Sequence, residues 1–98
     1  MRYRLESIGT GMLATLQGGL NHMSTLGFEK MLRELETLSP TQMTVDLSEV
    51  TVLDSMGVDQ LILLREAVHA SSLILQNPNP FHKELLEITH TDVVFDIK

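Results

Sequence analysis

The run Val45-Asp46-Leu47-Ser48-Glu49-Val50-Thr51-Val52-Leu53 leads into Asp54-Ser55-Met56-Gly57, and this junction constrains the fold more than any other feature of the chain. Met43 to Leu47 reads as a buried strand. Val50, Val52 and Leu53 follow as an apolar group in a short crossing loop, and Ser55 opens a helix. A strand that feeds a helix is half of a β-α-β unit, and such units build parallel sheets covered by helices. The helix should run from Ser55 to about Ala70. Val58, Leu61, Ile62, Leu64 and Val68 make it apolar over much of its circumference, so it is mostly buried or shows a face to a partner.

The other segments extend this pattern. Arg2 to Ser7 alternates Tyr3 and Leu5 against Arg2, Arg4 and Glu6, as a half-exposed strand does. Gly9-Thr10-Gly11 is a turn, and Met12 to Gln17 completes a hairpin with Met12, Ala14 and Leu16 inward. Gly18-Gly19 should end it. Phe28, Met31, Leu32, Leu35 and Leu38 form one face of a helix over Ser24 to Leu38, which Ser39-Pro40 stops. Leu73-Ile74-Leu75 marks a strand over Ser72 to Gln76, and Asn77-Pro78 a turn. Asn79-Pro80 caps a third helix striped by Phe81, Leu85 and Ile88. Val93 to Ile97 reads as an edge strand, with a last helical turn as the alternative. The expected fold class is therefore α/β. Its order is β-β-α-β-α-β-α-(β), a four- to five-stranded mixed sheet with helices mainly on one face.

At 98 residues the chain suits one domain spanning 1–98. Met1 and the compact ends suggest a whole protein. With no cysteine there is no disulfide framework, thiolate zinc site or cysteine nucleophile. A net charge of −6 argues against nucleic acid and against an anionic membrane surface. Glu6 and four glycines break any signal-peptide core after Arg2 and Arg4, and no window suits a membrane span. We expect a cytoplasmic chain.

Asp54-Ser55-Met56-Gly57 is the leading site candidate. Its plain reading is a helix cap, in which a side-chain oxygen accepts from a free backbone N–H. A switch is compatible with that cap. A phosphate on Ser55 would bring roughly −1.5 to −2 charges, and the helix dipole offsets roughly 0.3–1 kcal/mol of that cost. Asp54 opposes it. An esterase elbow is the sharp alternative, but Leu53 stands where G-x-S-x-G needs its first glycine, and no HGGG-type oxyanion loop is present. His22, His69, His82 and His90 have no triad or metal spacing. Gly9-Thr10-Gly11-Met12-Leu13-Ala14 matches a loose dinucleotide fingerprint, but a strand follows it where a helix is required. The methionines at 12, 23, 31 and 43 read as core filler, whereas Met56 should offer an apolar contact to a partner.

Together, Val45-Asp46-Leu47-Ser48, Val50, Val52 and Asp54-Ser55-Met56-Gly57 resemble the STAS domain, the fold of anti-sigma factor antagonists. Gly18-Gly19-Leu20 resembles the family's approach to its first helix. Leu73-Ile74-Leu75-Gln76-Asn77-Pro78 resembles its apolar strand and turn, and Leu85-Leu86-Glu87-Ile88-Thr89 its third helix. The sequence departs from the family in four places. Met56 is bulkier than the usual small residue, and Asn21 stands where aspartate is common. His90 replaces a frequent glycine, and the link from Val68 to Ser72 lacks one, so the second helix is expected to stop early.

The resemblance implies a non-enzymatic regulator without cofactor or metal. It implies that Ser55 is phosphorylated by a partner, an anti-sigma factor with GHKL-type serine kinase activity, and that a serine phosphatase reverses this. It places Asp54, Ser55, Met56, Gly57, Asn21 and Val58 in the partner-binding surface. The alternative is a non-switching adaptor subunit bound to the ATPase of a lipid-transport ABC system. A small-ligand sensor is a third reading, and no phosphate-cradling loop supports it.

Overall fold

Gly9 turns the chain at φ +59°, the value a two-residue type II′ hairpin turn asks of its first position. It joins β1 (Arg2–Ile8) to β2 (Gly11–Leu20) in antiparallel register, Ile8 opposite Gly11 and Arg2 opposite Gln17. The computed structural model describes all residues from 1 to 98. A short 3-10 turn (His22–Ser24) leads into α1 (Thr25–Leu38), and β3 (Gln42–Leu53) passes into α2 (Ser55–Ala67). Then come β4 (Ser72–Gln76), α3 (Pro80–Ile88), a second 3-10 turn (Thr91–Val93) and β5 (Asp96–Ile97).

The strands lie in chain order, β1-β2-β3-β4-β5, and every pair after the hairpin is parallel. Each parallel step moves the same way across the sheet, so right-handed crossovers carry their helices to the same side. Ala14, Leu16, Met43, Val45 and Leu75 point from the sheet into the core. Phe28, Met31 and Leu35 of α1 and Val58, Leu61 and Leu64 of α2 meet them there. This is the α/β mixed sheet that the sequence predicts.

Several local expectations need correction. Gly18-Gly19 does not end β2. Gly18 adopts φ +91° at a register shift between β2 and β3, and the strand continues to Leu20. The expected crossing loop after Leu47 is also strand. Glu49, Val50, Val52 and Leu53 pair with Gln17, Gly18, Gly19 and Leu20, so both strands run on together. Period-two alternation stops at Leu47 because the Ser48 N–H turns to the Asp46 carboxylate at 2.7 Å, after which Val50 and Leu53 are the buried positions.

In α1, Leu38 is half exposed and lies off the buried face. Helix α2 stops at Ala67, not Ala70, because Val68 turns extended and buries its side chain. Of the stripe expected on α3, only Leu85 packs against the core. His82 and Leu86 are buried, while Phe81 and Ile88 are largely exposed. The cap fixes where the helix starts, since Asn79 Oδ1 accepts from His82 N–H at 2.8 Å, and packing against the core then selects the inward face. Val93 is exposed and ends the second 3-10 turn, so the last strand is only Asp96–Ile97, parallel to β4. Met23, read as core, is among the most exposed apolar side chains.

Candidate functional site

The extension of β2 and β3 past Leu47 carries the chain to the C-terminal end of the sheet, where α2 begins. Asp54 is the N-cap residue, with extended backbone, and its Oδ1 accepts from the Gly57 N–H at 3.0 Å. Ser55 therefore takes the first helical position. Its side chain is exposed and its hydroxyl hydrogen-bonds to no protein group, no histidine included. Met56 is half exposed beside it, as is Val52 at the end of β3.

Two of the residues expected at the partner surface lie beneath it. Gly57 is buried against Leu20, and a Cβ there would overlap the Leu20 carbonyl oxygen. Val58 is 5% exposed and belongs to the core. They seat the helix start and offer no side chain to a partner, because the inward phase of α2 begins at Gly57.

Asn21 stands across from this helix start. Its Oδ1 accepts from Met23 N–H at 2.9 Å and caps the 3-10 turn. A buried latch ties it to α2. Gln60 Nε2 donates to Asn21 O at 2.7 Å, and Ser24 Oγ donates to Gln60 Oε1 at 2.7 Å. Asn21 N–H in turn donates to Ser24 Oγ at 3.0 Å. Sequence reasoning missed Gln60 and Ser24. The signal was present, since Gln60 is a polar residue in the inward phase of an otherwise apolar helix.

A second polar cluster lies on β3. Asp46 accepts from Ser48 N–H at 2.7 Å, Gln76 Nε2 at 3.0 Å and Asn77 Nδ2 at 3.3 Å. Desolvation pushes its carboxyl up, but the hydrogen bonds from Ser48, Gln76 and Asn77 together outweigh it and hold it below the usual value. This cluster fixes the β3–β4 junction.

None of the surface clefts includes Asp54, Ser55 or Met56. No group of three or more His, Asp or Glu side chains is placed to hold a metal ion. No helix is long and apolar enough to cross a membrane. What the helix start presents is a surface: one free hydroxyl, a half-buried capping carboxylate and apolar neighbours.

The model of the STAS domain family matches residues 3–98. The chain belongs to the STAS domain family. Solved structures place this STAS domain beside anti-sigma factor antagonists. It shares 18% identity and a TM-score of 0.80 with an anti-sigma factor antagonist from Mycobacterium paratuberculosis, over 98% of this chain and 83% of that one. SpoIIAA in its unphosphorylated form matches at 19% identity and TM-score 0.67, covering 89% of this STAS domain and 83% of its own chain. SpoIIAA of Bacillus in its phosphorylated form matches at 17% identity and TM-score 0.70, over 99% and 91%. At these identities the likeness is one of fold, and it extends over nearly the whole STAS domain.

Proposed function

We propose that this chain is an anti-sigma factor antagonist that works by partner switching, with Ser55 as the phosphoacceptor. The observation that carries the reading is the exposed, unbonded hydroxyl of Ser55 at the first position of α2. The fold around it is shared with an antagonist solved both without and with phosphate. In the unmodified chain, Ser55, Met56 and the Asn21 turn dock an anti-sigma factor. That factor is a GHKL-type serine kinase, and a serine phosphatase restores the docking form.

The physics supports a switch that spares the fold. A phosphate on Ser55 adds roughly −1.5 to −2 charges. It would stand at the positive end of α2, which offsets roughly 0.3–1 kcal/mol. Asp54 already spends one oxygen on the Gly57 N–H, and Ser55 gives up no internal hydrogen bond when modified. The cost therefore falls on a docked partner, through repulsion and desolvation next to the apolar Met56. In this reading the chain is a cytoplasmic regulator, not an enzyme, and needs no cofactor.

Incubation with the cognate kinase and ATP, followed by intact mass measurement, is the test. One phosphate on the wild type and none on Ser55→Ala is expected. An unmodified wild type, or equal phosphate on Ser55→Ala, removes the mechanism.

The exposed apolar side chains that flank the serine, Val52 at the end of β3 and Met56 at the start of α2, favour one second reading. They suit a lasting contact, as in a STAS adaptor held by the ATPase of a lipid-transport ABC system. Ser55→Asp separates the two: it abolishes binding to the partner of a switch and leaves binding to an ATPase unchanged.

A further inference from the structure

The two edges of the sheet are built differently. β5 is two residues long, which blunts its edge. β1 is seven residues long and lies at the other end of the strand order. The hairpin turn determines which of its backbone groups are free. Ile8 and Gly11 close the two-residue turn as a hydrogen-bonded pair, so Ile8, Glu6, Arg4 and Arg2 direct their N–H and C=O groups toward β2. Those of Tyr3, Leu5 and Ser7 point off the edge of the sheet. No turn, loop or cap bond elsewhere in the molecule reaches them.

The side chains add a sign pattern to this open edge. Arg4 and Glu6 share the face turned away from the helices and pair at 2.6 Å. Tyr3 and Leu5 point to the other face and pack against the core. Antiparallel pairing of β1 with a second β1 must place one residue opposite itself. Centring on Arg4 sets two guanidinium groups face to face, and centring on Glu6 does the same with two carboxylates. Centring on Leu5 overlaps all seven residues and sets Arg4 opposite Glu6 of the other copy twice. Those pairs fall at the non-hydrogen-bonded positions, where side chains come closest. Tyr3, Leu5 and Ser7 then supply the ladder bonds. Each Arg4 has a Glu6 beside it on its own strand and another across the interface, so four charges of alternating sign close a square.

We infer that the chain forms a two-fold symmetric dimer by antiparallel pairing of the β1 edges, centred on Leu5 and selected by the Arg4–Glu6 pattern. The second copy is the occupant because the edge is complementary in charge to itself. The sheets join into one, and both α2 starts stay open at opposite ends of the pair, because the two-fold reverses β3. The inference does not depend on the chemistry of Ser55.

Sedimentation equilibrium of the full chain from micromolar to millimolar concentration tests it, with circular dichroism to verify that each variant folds. The wild type should associate reversibly to a dimer. Arg4→Glu gathers four carboxylates and should weaken association about tenfold. The exchange Arg4→Glu with Glu6→Arg should restore it to within about threefold of wild type. Amide exchange at Tyr3, Leu5 and Ser7 should slow as concentration rises. A monomer throughout the range, an Arg4→Glu variant that dimerises as tightly as wild type, an exchanged variant that stays weak, or edge amides indifferent to concentration would each overturn the proposal.

Discussion

Gly57 shows how much one missing side chain can decide. It lets α2 descend onto the carbonyl of Leu20, and that contact sets the height of Ser55 above the sheet. Gly57→Ala should cost about 1–3 kcal/mol, because backbone on both sides must give way. Urea denaturation of the two forms measures it, and Ser55 modification should fall in step as the helix start lifts. His90 carries the opposite kind of constraint. It follows α3 with φ +59°, a left-handed conformation that costs an L-residue roughly 1–2 kcal/mol. Glycine adopts it freely but loses more chain entropy on folding. His90→Gly should therefore raise stability by about 0.5–1 kcal/mol, seen as a melting temperature higher by several degrees. Asn77, at φ +57°, already uses a side chain that tolerates this region.

Among the elements, α3 tests the packing most directly. Leu86 is fully buried while Phe81 is largely exposed, although both are apolar and five residues apart. Leu86→Ala should cost about 2–5 kcal/mol. Phe81→Ser should stay within about 0.5 kcal/mol of wild type. Denaturation midpoints of the two variants check this. The same helix marks the limit of what the sequence discloses. Its existence and its Asn79-Pro80 start were legible, because a cap and a proline act locally. Its inward face was not. Three apolar residues fit a plausible stripe, and only the core assembled by the rest of the chain decides that Leu86 and His82 are the buried ones. β3 was legible to Leu47 while alternation lasted. Its second half depends on pairing with the end of β2, a non-local fact. At the site, the Asp54-Ser55 helix start was legible from residue types alone. The Gln60 latch was not, since its partners lie 36 and 39 residues away.

At the scale of the whole molecule, pH should act through three groups. Burial pushes the His82 imidazole below its ordinary 6.5, and its Nδ1 has no hydrogen-bond partner. The unfolded chain therefore binds this proton more readily, and stability falls as pH drops below about 6.5. Asp46 is held below the usual carboxylate range. Its contribution is present above its unfolded value of 3.8 and lost as pH falls through the lower folded value. The alkaline side differs. Desolvation, then the 2.7 Å hydrogen bond to Glu34, pushes the Tyr3 phenol up to about 12, so stability is lost as pH rises from 10 to that value. Urea unfolding from pH 4 to 11 should show a plateau near neutrality with a shoulder below 6.5 that His82→Gln removes.

The buried latch of Gln60, Ser24 and Asn21 has a consequence at this scale too. It joins the turn after β2 to α2, so both sides of the candidate surface move as one rigid body. A partner landing there has little ordering entropy to overcome, and its arrival rate should be set by diffusion and charge. Nor can the surface relax around a new charge on Ser55 by letting one side retreat. In the proposed switch, rigidity at this spot would make fast recognition and complete release two results of the same three hydrogen bonds.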